Sequence, residues 1–100
     1  PERVRGLIPK DAIKIEFKLQ GISFSEEKGL EVKYKSQKIG LYRPDFIIDD
    51  KVILEIKAVP VLVKTMIDQI YYYIKGSKYK LALLANFGTN KLVIKRRIYT

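Results

Sequence analysis

Apolar and polar positions recur along this chain with two different periods. In residues 10–20, Ile13, Phe17 and Gln20 share one helical face and Ala12, Glu16 and Leu19 adjoin it, so the spacing predicts a short helix. Pro9 suits the first turn of that helix, residues 1–9 read as an irregular or truncated segment, and Gly21 supplies the stop. Period two follows. Ile22 and Phe24 alternate with Ser23 and Ser25, then Leu30, Val32 and Tyr34 alternate with Glu31, Lys33 and Lys35. These are half-buried strands, either one strand bent at Gly29 or a loose hairpin around it. Gly40 opens a further strand over 41–48. Asp49, Asp50 and Lys51 form a tight polar turn, and residues 52–59 return antiparallel. A meander of three strands is therefore expected after the first helix.

Pro60 ends that meander and suits the opening of a second helix over about 62–75, where Leu62, Met66, Ile70 and Tyr73 or Ile74 recur at helical spacing. Gly76 terminates it. Residues 80–87 are strongly apolar, as expected of an interior strand covered on both faces. The run Phe87, Gly88, Thr89, Asn90 breaks the chain, and residues 92–99 form a last strand with Leu92, Ile94 and Ile98 against Lys91, Lys95, Arg96 and Arg97. The order α-β-β-β-α-β-β predicts an α/β (α+β) fold, a central mixed sheet flanked by helices, in one domain over 1–100.

Composition narrows the chemistry. The chain has 100 residues without a single Cys or His. Disulfides, thiolate- or imidazole-ligated metals, thiol nucleophiles and imidazole general bases are thereby excluded. Carboxylate and carbonyl oxygens remain for hard ions such as Mg²⁺ or Mn²⁺, and Asp, Glu, Lys and Tyr remain as general bases. No apolar run approaches the ~20 residues of a membrane span, and the charged start lacks a secretory pattern. The expected location is the cytoplasm, and, with Pro1 in place of Met, a fragment or a processed form is the expectation. The net charge of +9 is uneven: residues 1–50 carry ten Lys/Arg against nine Asp/Glu, residues 51–100 ten against two. Such a basic half attracts polyanions, nucleic acid foremost, although a Lys-rich solvated surface has the same composition.

The most informative stretch is Tyr42, Arg43, Pro44, Asp45, Phe46, followed beyond the turn by Leu54, Glu55, Ile56, Lys57. Glu55 and Lys57 are two apart on a strand and point to one face, with Leu54, Ile56 and Ala58 on the other. A turn centred at residue 50 sets Asp45 opposite Glu55, roughly 4.5–5.5 Å apart at Cβ. Two facing carboxylates repel, and a divalent cation relieves them. Lys57 beside them can position water or steady a phosphate, the arrangement a metal-dependent phosphodiesterase needs.

Arg43-Pro44-Asp45 followed ten residues later by Glu55-Ile56-Lys57 resembles the PD-(D/E)XK motif of restriction-endonuclease-like nucleases. Gln69 to Tyr73 resembles the Q-x-x-x-Y element of RecB-type members, with Gln69 and Tyr73 on one helical face. Leu-Tyr-Arg-Pro-Asp-Phe, Leu-Glu-Ile-Lys-Ala-Val and Leu-Ala-Asn-Phe-Gly are most similar to the small GxxExxY proteins. The resemblance covers about residues 10–98. It implies a restriction-endonuclease-like core, a Mg²⁺ (or Mn²⁺) site at Asp45 and Glu55, Lys57 as the catalytic lysine, and Gln69 and Tyr73 as supporting residues. One departure stands out: relatives carry an acid on the first helix in a Gly-x-x-Glu-x-x-Tyr signature, and the matching region, about Arg5 to Pro9, has none. Glu16 does not align with it.

The resulting expectation is a Mg²⁺-dependent DNA nuclease, endo- or exonucleolytic. Arg43, Lys91, Lys95, Arg96 and Arg97 would bind nucleic acid, and a homodimer would help so small a domain enclose it. The alternatives are a nucleic-acid-binding module that kept the fold and lost the chemistry, or a basic subunit that meets an acidic partner.

Overall fold

Nine elements lie among the described residues: α1 (Glu2–Leu19), β1 (Phe24–Glu26), β2 (Leu30–Tyr34), β3 (Gln37–Tyr42), β4 (Phe46–Ile48), β5 (Val52–Lys57), α2 (Lys64–Ile74), β6 (Leu81–Asn86) and β7 (Val93–Ile98). The computed structural model describes residues 2–98, with side-chain surroundings from Pro9 onward. Tyr99, expected in the last strand, lies outside the described residues.

The five-stranded sheet runs β1-β4-β5-β6-β7, with β5 and β6 parallel and every other pair antiparallel. The parallel pair needs a crossover, and α2 provides it. Alternation along the central strands divides the core into two layers. Ile47, Ile53, Ala82 and Leu84 face α2 and pack on Ile70 and Ile74. Phe46, Leu54, Ile56 and Ala85 face the other way, against Ile13 and Phe17 of α1. Phe17, Phe24 and Phe46 close that second layer with ring centroids 5.3–5.8 Å apart. Burying each such side chain fully contributes about 1.5–3 kcal/mol.

Both helix stops follow from glycine. After α1, Gly21 adopts φ 68°, and the Ile22 N–H donates to the Phe17 carbonyl at 2.9 Å while the Gly21 N–H donates to Lys18 at 3.2 Å. This is the 6→1 and 5→2 pattern that a left-handed residue makes available. Gly76, at φ 83°, follows α2. The helix itself starts at Lys64 with Val63 as N-cap, so Pro60 lies in the connection and does not open it.

Three expectations need correction. The first helix begins at Glu2 and carries Pro9 in its interior, so residues 2–9 are helical and not irregular. Proline already holds a φ near the helical value, and the helix forgoes one ladder bond there. The expected strand over 41–48 is interrupted at Arg43-Pro44-Asp45, where Pro44 has no N–H to donate to a ladder. The order is consequently α-β-β-β-β-β-α-β-β. Finally, β2 and β3 leave the meander and, among the described residues, pair only with each other, joined by the two-residue turn Lys35–Ser36. Gly29 thus separates strands of different sheets and turns no hairpin.

Candidate metal centre at the end of the central hairpin

The β4–β5 ladder pairs Phe46 with Leu54, Ile47 with Ile53 and Ile48 with Val52. This register is set by the turn, where Asp49 and Asp50 both take positive φ (53° and 52°) and the Lys51 N–H donates to the Ile48 carbonyl at 2.9 Å. Aspartate tolerates that conformation better than most L-residues. Asp50 is further fixed by accepting from the Tyr79 hydroxyl at 2.7 Å and pairing with Lys78.

One step beyond the ladder, Asp45 and Glu55 clasp each other through the backbone. The Asp45 N–H donates to Glu55 Oε1 at 2.8 Å, and the Ile56 N–H donates to Asp45 Oδ2 at 2.7 Å. Two carboxylates thus take the place of ladder bonds where the strands part. Asp45 opens onto a depression of about 190 Å³ lined by Lys10, Lys14, Glu26 and Glu27. Lys57 lies on the same face of β5 as Glu55, and its charge lowers the Glu55 pKa. Burial nevertheless dominates: with the Asp45 charge beside it, Glu55 is pushed up to about 6.

Two participants were not read from the sequence. The Tyr42 hydroxyl is buried beside the Glu55 carboxylate and interacts with it. Burial and the Glu55 charge hold this phenol well above its usual range. The other is Lys10, whose Nζ lies 2.6 Å from Asp45 Oδ1. Burial opposes its charge, but the Asp45 bond, with Glu27 and Glu55 nearby, outweighs that and leaves its pKa raised. The available signal was positional: Lys10 stands three residues before Ile13 and seven before Phe17, on the stripe that packs against the sheet.

The donor set suits a hard divalent ion. Two carboxylates share a partly desolvated spot, a buried hydroxyl adjoins it, and an ammonium already sits in its field. Mg²⁺ commonly takes one or two carboxylates and completes its shell with water or phosphate. No cluster of three Asp, Glu, His or Cys occurs among the described residues, so Asp45 and Glu55 would be the protein's carboxylate contribution. Lys10→Met should therefore tighten Mn²⁺ binding by about tenfold, or ~1.4 kcal/mol, in a calorimetric titration.

The other expected site residues spread out from this centre. Tyr73 stacks on Tyr42 with centroids 4.2 Å apart and so packs behind Glu55. Gln69 is exposed and borders a depression with Thr65 and Tyr72. Arg43, Lys91, Lys95 and Arg96 are exposed. Arg97 instead ties β7 to α2 by pairing with Asp68, its guanidinium 5.5 Å from the Tyr71 ring.

Lys57 ends β5, and the chain just beyond it is latched to the end of β6. The Phe87 N–H donates to the Lys57 carbonyl at 2.8 Å. Asn86, 1% exposed, accepts from the Val59 N–H at 3.0 Å, donates to the Val59 carbonyl at 2.9 Å and accepts from the Gly88 N–H at 3.1 Å. A Cβ on Gly88 would collide with the Val59 carbonyl oxygen and the Val59 nitrogen. The Asn-Phe-Gly turn is thus a brace that fixes the end of the strand carrying Glu55 and Lys57.

A mixed sheet between two helices, with an acid pair at the open end of its central hairpin and a lysine on the same strand, is a restriction-endonuclease-like, nuclease-type fold. Residues 8–97 match the family model of the PD-(D/E)XK nuclease superfamily, and the chain belongs to that superfamily. No curated protein matches the chain. No helix among the described residues is long and apolar enough to cross a membrane.

Proposed function

We propose that this protein is a metal-dependent nuclease that hydrolyses DNA phosphodiester bonds at Asp45, Glu55 and Lys57. The observation that carries this reading is the reciprocal clasp of Asp45 and Glu55, with Lys57 on the same face of β5. The two carboxylates would hold Mg²⁺ or Mn²⁺, which when bound lowers the pKa of a coordinated water and neutralises phosphate charge. Lys57 orients that water or stabilises the charge that develops on the phosphoryl oxygens. Tyr42, kept protonated by its surroundings, can donate to the Glu55 carboxylate and steadies it from behind, with Tyr73 stacked against the ring. Lys10 neutralises Asp45 before metal binds and must yield when it does. Arg43 and the exposed cations of β7 would bring the DNA backbone within reach, so affinity should fall steeply with salt. A homodimer is the simplest way for a chain this small to enclose nucleic acid.

A second reading, a binding module without chemistry, is favoured by Lys10 itself: where relatives present an acid from the first helix, this chain presents an ammonium to Asp45. Plasmid and single-stranded DNA incubated with Mg²⁺, Mn²⁺ or EDTA separate the two. Cleavage that requires metal and disappears in Glu55→Ala and Lys57→Ala supports the nuclease. Lys57→Ala should still bind Mn²⁺, whereas Glu55→Ala should not. Salt-sensitive DNA binding without cleavage, unchanged by these substitutions, supports the module.

A further inference from the structure

The β2–β3 hairpin leans on α2 through Leu30 and Tyr42, and between its tip and the end of α2 runs a groove of about 740 Å³. Among the described residues three lysines line it, Lys33, Lys35 and Lys75, and no carboxylate does, though Lys33 lies 3.9 Å from Glu31. Its two banks each carry a tyrosine, Tyr34 from the hairpin (62% exposed) and Tyr72 from α2 (65% exposed). Rings left this open bury little apolar surface in the fold, and Tyr72 keeps an edge contact with the Tyr71 ring, centroids 6.1 Å apart. The Lys35 ammonium lies 5.5 Å from the Tyr34 ring centroid, so a positive charge accompanies the ring.

The backbone holds this arrangement at a cost. Lys35 and Ser36 take φ of 49° and 65° in the turn, a conformation that glycine or asparagine would adopt more cheaply. Pairing of Val32 with Gly40 and Lys33 with Lys38 leaves Ile39 as an extra residue in β3, a bulge that re-aims the tip.

We infer that this groove binds a single-stranded segment of DNA, with bases stacked on Tyr34 and Tyr72 and phosphates held by Lys33, Lys35 and Lys75. The volume suits a nucleotide or two. Exposed aromatic rings between cationic banks are what sequence-tolerant single-strand binding uses. The inference deepens the nuclease reading by naming a substrate class: the hairpin base at Tyr42 adjoins Glu55, and the tip lies one strand length away, roughly 17 Å. A single strand bound at the tip would thus run along the hairpin toward the carboxylates.

The test uses the intact chain in EDTA, so that binding is read without cleavage. The probes are fluorescein-labelled dT12, the same oligomer as RNA, a duplex, and a bromodeoxyuridine-substituted strand for photocrosslinking. Expected results are a crosslink mapped to Tyr34 or Tyr72 and about a tenfold loss of dT12 affinity in Tyr72→Ala. The salt slope should fall by about 0.7 for each of the three lysines changed to Gln. Crosslinks elsewhere, or unchanged affinity in Tyr34→Ala and Tyr72→Ala, would overturn the groove assignment. Tighter binding of the RNA or of the duplex would overturn the choice of single-stranded DNA. If metal-dependent cleavage persists while the groove substitutions change nothing, the groove falls and the nuclease stands. Groove binding without cleavage under any metal reverses that outcome.

Discussion

At pH 7.5, Glu55→Gln is expected to melt higher than the wild type and to cleave DNA at least about a hundredfold more slowly. The two effects have one cause. Glu55 is pushed up to about 6 from an ordinary value of 4.5, because burial and Asp45 disfavour its charge. Between those values the folded state binds more protons than the unfolded state, so the contribution of this group to stability falls as pH rises. Above the window the ionised carboxylate costs about 2 kcal/mol. Glutamine keeps an oxygen to accept the Asp45 N–H and carries no charge, so the cost disappears and the melting temperature should rise by about 10 °C. At pH 4.5 much of the difference should vanish, because the wild-type carboxyl is then largely protonated. Melting curves of both proteins from pH 4.5 to 7.5 check this. A pH-independent difference would place Glu55 outside the desolvated pair. Added Mn²⁺ should stabilise the wild type and leave Glu55→Gln unchanged, because only the native carboxylate binds it. A residue that weakens the fold and is required for cleavage is what a functional site predicts.

Gly88→Ala is expected to lower stability by about 3 kcal/mol, or roughly 15 °C in melting temperature. The added Cβ meets the Val59 carbonyl oxygen, the Val59 nitrogen and the Ala58 carbonyl carbon, all backbone atoms that cannot rotate away. Relief requires separating residues 58–59 from residues 86–88, which breaks the Asn86 bonds to Val59 and leaves a buried amide unsatisfied. The same movement displaces the end of β5. Protein that remains folded at low temperature should therefore also show impaired cleavage with Lys57 intact. Chemical denaturation checks the first part, and cleavage at 10 °C the second. An unchanged midpoint would mean that the brace does not exist as described.

The acid pair was legible because a turn centred at residue 50 leaves one arithmetic for the pairing, and the observed register extends to set 45 against 55. The face assignment followed from the strand period, with Leu54 and Ile56 on the α1 side and Glu55 opposite. The separation of β2 and β3 was not legible. Alternation of Leu30, Val32 and Tyr34 reads the same whichever sheet receives the strand, and Lys35–Ser36 lacks the Asn-Gly signature of a two-residue turn. Lys10 was hidden for a related reason. A lysine at the edge of an apolar stripe usually reaches solvent, and only the third dimension brings its ammonium back onto Asp45. Arg97 was expected to meet phosphate, but Asp68 lies one helix away in space and 29 residues away in sequence.

Diffraction at the manganese absorption edge from crystals soaked in Mn²⁺ tests the account most directly. An anomalous peak bridging the Asp45 and Glu55 carboxylates, with the Lys10 ammonium withdrawn from Asp45, is the predicted result. Ordered crystals that take up no Mn²⁺ there, with Lys10 still seated on Asp45 at saturating metal, would contradict it.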